Sequence, residues 1–193
     1  MSDKPGAGFE LISASYEWEG ALVKAGRERF RHTDGEEVSR EKVWHPGAVG
    51  ILAVDSEHVW LTRQPREVAG LTASLEIPAG KRDVDGEPPL RTAQRELGEE
   101  IGKQARTWEE IKVFFTSPGF SDERVWLYLA TDLSDDPDAE PEVGERIEIV
   151  PWPLDQLDAA FAECADSKSL IALLWLAARS ASGMLSARHP ASP

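Results

Sequence analysis

The chain has 193 residues, with 21 basic and 35 acidic side chains, a formal net charge of −14 and a single cysteine. That charge excludes nucleic acid and anionic membrane as main partners, since both are held through basic surface, and Cys164 has no second thiol in the chain to pair with. The length suits one domain with a sizeable core; with no signal-peptide pattern and no apolar run of membrane length, the expected location is cytoplasmic.

Residues 1–8 are small and polar and read as a disordered tail. Residues 9–45 read as a strand-rich region, with strands over 9–16, 21–30 and 37–44 and a hairpin turn at Thr33-Asp34-Gly35. Trp18 and Trp44 are expected to pack in a core or an interface. Residues 47–54, G-A-V-G-I-L-A-V, form a continuous apolar run, the mark of a strand buried on both faces. A turn at 55–57 leads to a return strand over 58–63. Arg66 follows, and a guanidinium forks well onto phosphate, although a solvated side chain is the plain alternative.

Residues 80–103 read G-K-R-D-V-D-G-E-P-P-L-R-T-A-Q-R-E-L-G-E-E-I-G-K. A helix is expected over 90–101: Pro88 and Pro89 suit a first turn, where backbone donors are unpaired anyway, and Gly102 suits a C-terminal stop. At about 100° per residue, Glu96 and Glu100 lie roughly 40° apart, with Glu99 about 60° to the other side of Glu96. One face thus carries three carboxylates, and Arg95, four residues before Glu99, can brace it by an ion pair. Clustered carboxylates repel unless a positive group sits among them. A divalent cation such as Mg²⁺ fits that role, because hard cations take oxygen ligands. By themselves the three glutamates read equally well as a solvated acidic helix face.

Beyond this stretch, 109–116 and 123–131 read as strands, separated by Ser117-Pro118-Gly119-Phe120-Ser121-Asp122-Glu123. Residues 134–144 are rich in Asp, Glu and Pro and read as a mobile loop, 146–153 as a strand, and 154–163 and 167–181 as helices. Leu170, Leu173, Leu174 and Ala177 form the expected apolar stripe of the last helix, with Trp175 in the core and 183–193 as tail. His32, His45, His58 and His189 lack the spacing of a zinc site.

The flanking residues decide how the three glutamates are read. Gly80, Glu87, Arg95, Glu96, Leu97, Glu99, Glu100 and Gly102 resemble the Nudix box, the signature of the Nudix hydrolases. Two departures are visible. Six residues instead of the usual five separate Gly80 from Glu87, in a loop where one more residue costs little. Lys103 stands where an apolar residue is usual, near the negative end of the helix, where a cation is favourable.

The resemblance covers roughly residues 40–178 and implies an α+β Nudix fold, a mixed β-sheet sandwiched between helices, with an antiparallel strand region ahead of it. The implied divisions are 9–45 for dimerisation and 46–182 for the hydrolase domain. Glu96, Glu99 and Glu100 would hold Mg²⁺, with Mn²⁺ as the alternative, together with the carbonyl of Ala79. Glu76-Ile77-Pro78-Ala79-Gly80 and the Ser117–Glu123 segment are similar to segments of the ADP-ribose pyrophosphatase type, which adds Glu76, Pro118 and Gly119 to Arg66 as substrate-binding candidates. The activity implied is hydrolysis of ADP-ribose to AMP and ribose 5-phosphate by a homodimer. Glu142 is the first candidate for general base and Glu145 the second, Glu145 also being a candidate metal ligand; Arg95 completes the catalytic set. A GDP-sugar is the alternative substrate. A non-catalytic ADP-ribose sensor is the third reading, disfavoured because all three helix carboxylates are present.

Overall fold

The apolar run after Gly47 becomes β4 (Ala48–Val54), the strand around which the larger sheet is built. The computed structural model describes residues 8–140 and 146–181, so both candidate bases, Glu142 and Glu145, lie outside the described residues. The chain falls into two units, one within Met1–Gly47 and Phe115–Arg124, the other within Ala48–Phe114 and Val125–Pro193.

The first unit carries an antiparallel sheet of β1 (Phe9–Glu19), β2 (Lys24–His32) and β3 (Glu37–Trp44), in that order. The expected turn joins β2 to β3. Gly35 takes φ 90° there and donates its N–H to the His32 carbonyl at 3.0 Å, while Asp34 Oδ1 accepts the Glu36 N–H at 3.0 Å. β2 starts at Lys24 and not at residue 21, because the Gly20 N–H closes a turn onto the Val23 carbonyl at 2.9 Å. Two register shifts interrupt β1, between Leu11 and Ser13 and between Tyr16 and Trp18. Each leaves one residue unpaired and resets the in–out alternation. Phe9, Leu11 and Tyr16 consequently share one face with Phe30, Val38 and Trp44. Ring centroids lie 5.4 Å apart for Phe9–Phe30 and 4.7 Å apart for Tyr16–Trp44. Phe9, Leu11 and Tyr16 nevertheless stay exposed, as does Trp18 at 57%. The Phe115–Arg124 segment is stitched to β3. Val43 N–H donates to the Phe120 carbonyl at 2.7 Å, and Asp122 Oδ1 accepts the His45 N–H at 3.0 Å.

Among the described residues, the second unit holds a seven-stranded sheet. Its strands are β4, β5 (His58–Arg66), β6 (Leu71–Glu76), β7 (Ala79–Lys81), β8 (Lys103–Phe115), β9 (Arg124–Asp135) and β10 (Glu148–Pro153). The order is β10-β5-β4-β9-β8, with β6 against β5 and β7 against β4. β4 runs parallel to β9 and antiparallel to β5 and β7, so the sheet is mixed as expected. Strand alternation divides the core. Val49, Ile51 and Ala53 face one side with Tyr128 and Ala130, under Ala93, Leu97 and Ile101 of α1 (Pro89–Ile101). Leu52 and Val54 face the other with Leu127 and Leu129, under α2 (Leu157–Glu163) and α3 (Ser167–Ala181). The sheet is therefore sandwiched between helices.

Several expectations need correction. β8 begins at Lys103, not 109, because Gly102 in the left-handed region (φ 63°) turns the chain from α1 into the strand. Lys103, next to that helix end, lies 2.5 Å from Asp135 and 4.4 Å from the Trp60 ring centroid. β9 runs on to Asp135, into the stretch read as loop. A 3-10 turn, Leu154–Gln156, precedes α2. The buried stripe of α3 is Ser169, Ala172, Leu173 and Leu176, which keeps the i, i+3, i+4, i+7 spacing; Leu174 is 54% exposed.

Candidate active site

α1 forms where expected, with Pro88 at its N-cap and the Gly102 N–H closing onto the Gly98 carbonyl at 2.9 Å. Because Leu97 and Ile101 are locked into the core, the residues just before them, Glu96 and Glu100, are held at its edge, 8% and 6% exposed. Glu99 projects further out. β7 passes beside this face. Ala79 N–H donates to Glu100 Oε2 at 2.8 Å. Gly80 lies so close to Glu96 that a Cβ there would sit 1.9 Å from its carboxyl carbon, so only glycine leaves the carboxylate in place.

Arg95 stands among the carboxylates. Its Nη1 donates to Glu99 Oε2 at 2.6 Å, the i, i+4 pair expected, and its Nη2 lies 2.9 Å from Glu96 Oε1. Asp83 and Glu87 are 3.7 and 3.9 Å from the same Nη2. Burial works against the Arg95 charge, but Glu96, Glu99 and Glu87 outweigh it and raise its pKa. Thr92 Oγ1 fixes Glu87 at 2.8 Å. The extra residue between Gly80 and Glu87 is taken up in a turn where Gly86 has φ 76° and the Glu87 N–H reaches the Val84 carbonyl at 3.2 Å.

A second ionic group lies ahead of β7. Glu76 is 2% exposed, yet both its oxygens are engaged. Arg66 forks onto it through Nε and Nη2, each at 2.8 Å, and Lys168 Nζ reaches Oε2 at 2.7 Å. Burial pushes the Glu76 carboxyl up, but the Arg66 fork and Lys168 win and hold it at about 2.

The NUDIX domain model matches residues 44–174. The chain belongs to the Nudix family. An ADP-ribose pyrophosphatase of Mycobacterium tuberculosis is 46% identical over 126 residues, covering 65% of this chain and 60% of that one, so the match spans less than two thirds of that relative. An ADP-ribose pyrophosphatase of Bacillus subtilis is 40% identical, covering 65% and 67%. A methanol dehydrogenase activator of Bacillus methanolicus is 36% identical over 174 residues, covering 86% and 91%. A solved ADP compounds hydrolase has the same fold, with a TM-score of 0.77 at 22% identity over 94% of this chain and 98% of that one.

The donor set of this Nudix box suits a divalent cation. Glu96, Glu99 and Glu100 offer carboxylate oxygens, Ala79 a carbonyl, and Gly80 leaves the room beside Glu96. Among the described residues no three acidic, histidine or cysteine side chains converge closely enough to be a cation site by themselves; the acids are gathered around Arg95 instead.

Pro118 and Gly119 belong to the first unit. There the Phe120 N–H turns back onto the Ser117 carbonyl at 3.1 Å. With Phe30, Arg40, Phe115 and Phe120 they line a cavity of about 550 Å³.

The sequence reading missed Asp166, Lys168 and Ser169. Asp166 caps α3 by accepting the Ser169 N–H at 2.9 Å, and an Asp two residues before a lysine at a helix start was the available signal. Nothing local shows that Lys168 meets Glu76, 92 positions away.

Two outcomes follow from this geometry. Gly80→Ala should fold normally, since the clash is with the end of a flexible side chain, yet displace the Glu96 carboxylate. Circular dichroism should match the wild type while hydrolytic turnover falls by at least about tenfold. Because the folded pKa of Glu76 lies below its ordinary 4.5, its contribution to stability is present above pH 4.5 and lost as pH falls towards about 2. Denaturant titrations across that window should show a loss of roughly 3 kcal/mol that is absent in Glu76→Gln.

Proposed function

We propose that the chain hydrolyses the pyrophosphate bond of ADP-ribose to AMP and ribose 5-phosphate, with Mg²⁺ as its cation. The observation that carries this is the row of Glu96, Glu99 and Glu100 set against Ala79 and Gly80. The two ADP-ribose pyrophosphatases among its relatives support the substrate. A divalent cation supplies neutralisation of the diphosphate's charge and makes a water more acidic. In this reading the three glutamates and the Ala79 carbonyl hold the cation, and Arg95 keeps the glutamates in place. Arg66, with Nε and Nη2 committed to Glu76, presents Nη1 to a phosphate oxygen. Glu76, itself buried, serves the substrate through Arg66. Glu142, or in second place Glu145, takes the proton of the attacking water.

Pro118 and Gly119 are further substrate-binding candidates, and within their own unit Phe30, Phe115 and Phe120 offer aromatic faces beside them. The apolar face of Phe9, Leu11 and Tyr16 is the surface we assign to a homodimer, in keeping with the exposure of its aromatic residues. No described helix is long and apolar enough to cross a membrane. The lone Cys164 accords with a cytoplasmic protein.

The test is phosphate-product release from ADP-ribose with Mg²⁺, compared with GDP-mannose, NADH and diadenosine polyphosphates. ADP-ribose should be preferred, Glu99→Gln should abolish turnover, and Glu142→Gln or Glu145→Gln should lower it by at least about a hundredfold. Preference for GDP-mannose would replace the substrate. Binding of ADP-ribose with no turnover of any compound would make the protein a sensor.

A further inference from the structure

The start of α3 reaches the segment that leads into the Nudix box. Lys168 Nζ bridges Glu76 Oε2 at 2.7 Å and Asp166 Oδ1 at 2.9 Å. Ser169 Oγ accepts the Ile77 N–H at 2.8 Å and donates to Asp166 Oδ2 at 2.5 Å. The Pro78 carbonyl accepts the Ile51 N–H at 2.8 Å, and the Ala79 N–H donates to Glu100. Four successive residues, from Glu76 to Ala79, are thus anchored one by one, at one end by α3 and at the other by α1. The network carries two positive groups, Arg66 and Lys168, and two negative ones, Glu76 and Asp166, so its charges sum to zero.

We propose that Lys168 is a positioning residue for the substrate's diphosphate: by sharing the charge of Glu76 it keeps Arg66 attractive to an anion. The inference rests on the reading of the chain as a diphosphate hydrolase. Without the lysine charge the network sums to −1. Arg66 is then the remaining cation directly on a buried carboxylate, and its charge is answered before a phosphate arrives. Arg66 also feels the charges of Glu100 and Asp166, so the charge balance that acts on it extends beyond Glu76. The loss falls on binding and not on the chemical step, because the cation attracts the diphosphate equally in ground and transition states. A purely structural lysine would give a different result, a lower melting temperature with binding unchanged.

The experiment compares Lys168→Met, which keeps most of the stem without the charge, with Lys168→Arg and with Asp166→Asn, which retains a capping side chain and shifts the network to +1. KM and kcat for ADP-ribose are read with Mg²⁺, and affinity for inorganic pyrophosphate is read by calorimetry. In Lys168→Met, KM should rise and pyrophosphate binding weaken by about tenfold, or about 1.4 kcal/mol, with kcat changed less than about threefold. Lys168→Arg should restore both, and Asp166→Asn should tighten pyrophosphate by about threefold. If Lys168→Met does not fold, the opposite shift in Asp166→Asn carries the test. Unchanged pyrophosphate affinity in the folded variants overturns the inference. If the wild type does not turn over ADP-ribose, yet pyrophosphate affinity shifts as described, the substrate reading alone has failed. A wild type that binds no pyrophosphate overturns both.

Discussion

Arg95 holds together a patch of like charge that would otherwise push itself apart. Two carboxylates about 4 Å apart repel by about 4 kcal/mol at the effective dielectric of a protein surface, and here Glu96, Glu99, Glu87 and Asp83 all lie within reach of one guanidinium. A planar group with five donors can serve several acids at once, which a lysine cannot do with the same geometry. The backbone positions of two of these acids cannot relax. Leu97 and Ile101 are sealed against β4 and β9, so the helix that carries Glu96 and Glu99 stays where the core puts it. The core thus sets the positions of the charges, and Arg95 makes the arrangement tolerable.

The Glu76 network shows the same coupling of core and charge. Glu76 is a buried charge at the end of a strand, and removal of either cation would leave it partly uncompensated in a dry environment. Its two partners are an arginine on β5 and a lysine on α3. That network and the Ile77–Ser169 bond fix the approach to β7, so the close passage of Gly80 beside Glu96 depends on contacts made well away from the box.

Much of this was legible in the sequence because it is encoded locally. Pro88-Pro89 and Gly102 mark the two ends of α1, and the unbroken apolar run marks β4. The glutamate spacing fixes the helical face, and Thr33-Asp34-Gly35 fixes a hairpin. What escaped was encoded at a distance. β6 carries Ser74 and Glu76 in buried positions, which no alternation rule reads as strand, because the groups that satisfy Glu76 come from other elements. β7 is three residues long and exists through its pairing with β4. Leu174 looked like core because leucine usually is, while the helix in fact turns Ser169, bonded to Ile77, towards the sheet.

The two register shifts in β1 carry a consequence for how this strand can vary in length. Ile12 and Glu17 are the residues that the backbone ladder to β2 skips, although the Glu17 carboxylate pairs with Arg27 at 3.3 Å. Removing either would let the ladder straighten locally while Phe9, Leu11 and Tyr16 kept the partners they have. The strand thus holds slack at two points, where a single-residue deletion leaves the face of Phe9, Leu11 and Tyr16 in place, at the loss of half-buried Ile12 or of the Glu17–Arg27 pair, and that apolar surface can be kept by chains whose N-terminal strands do not align without gaps.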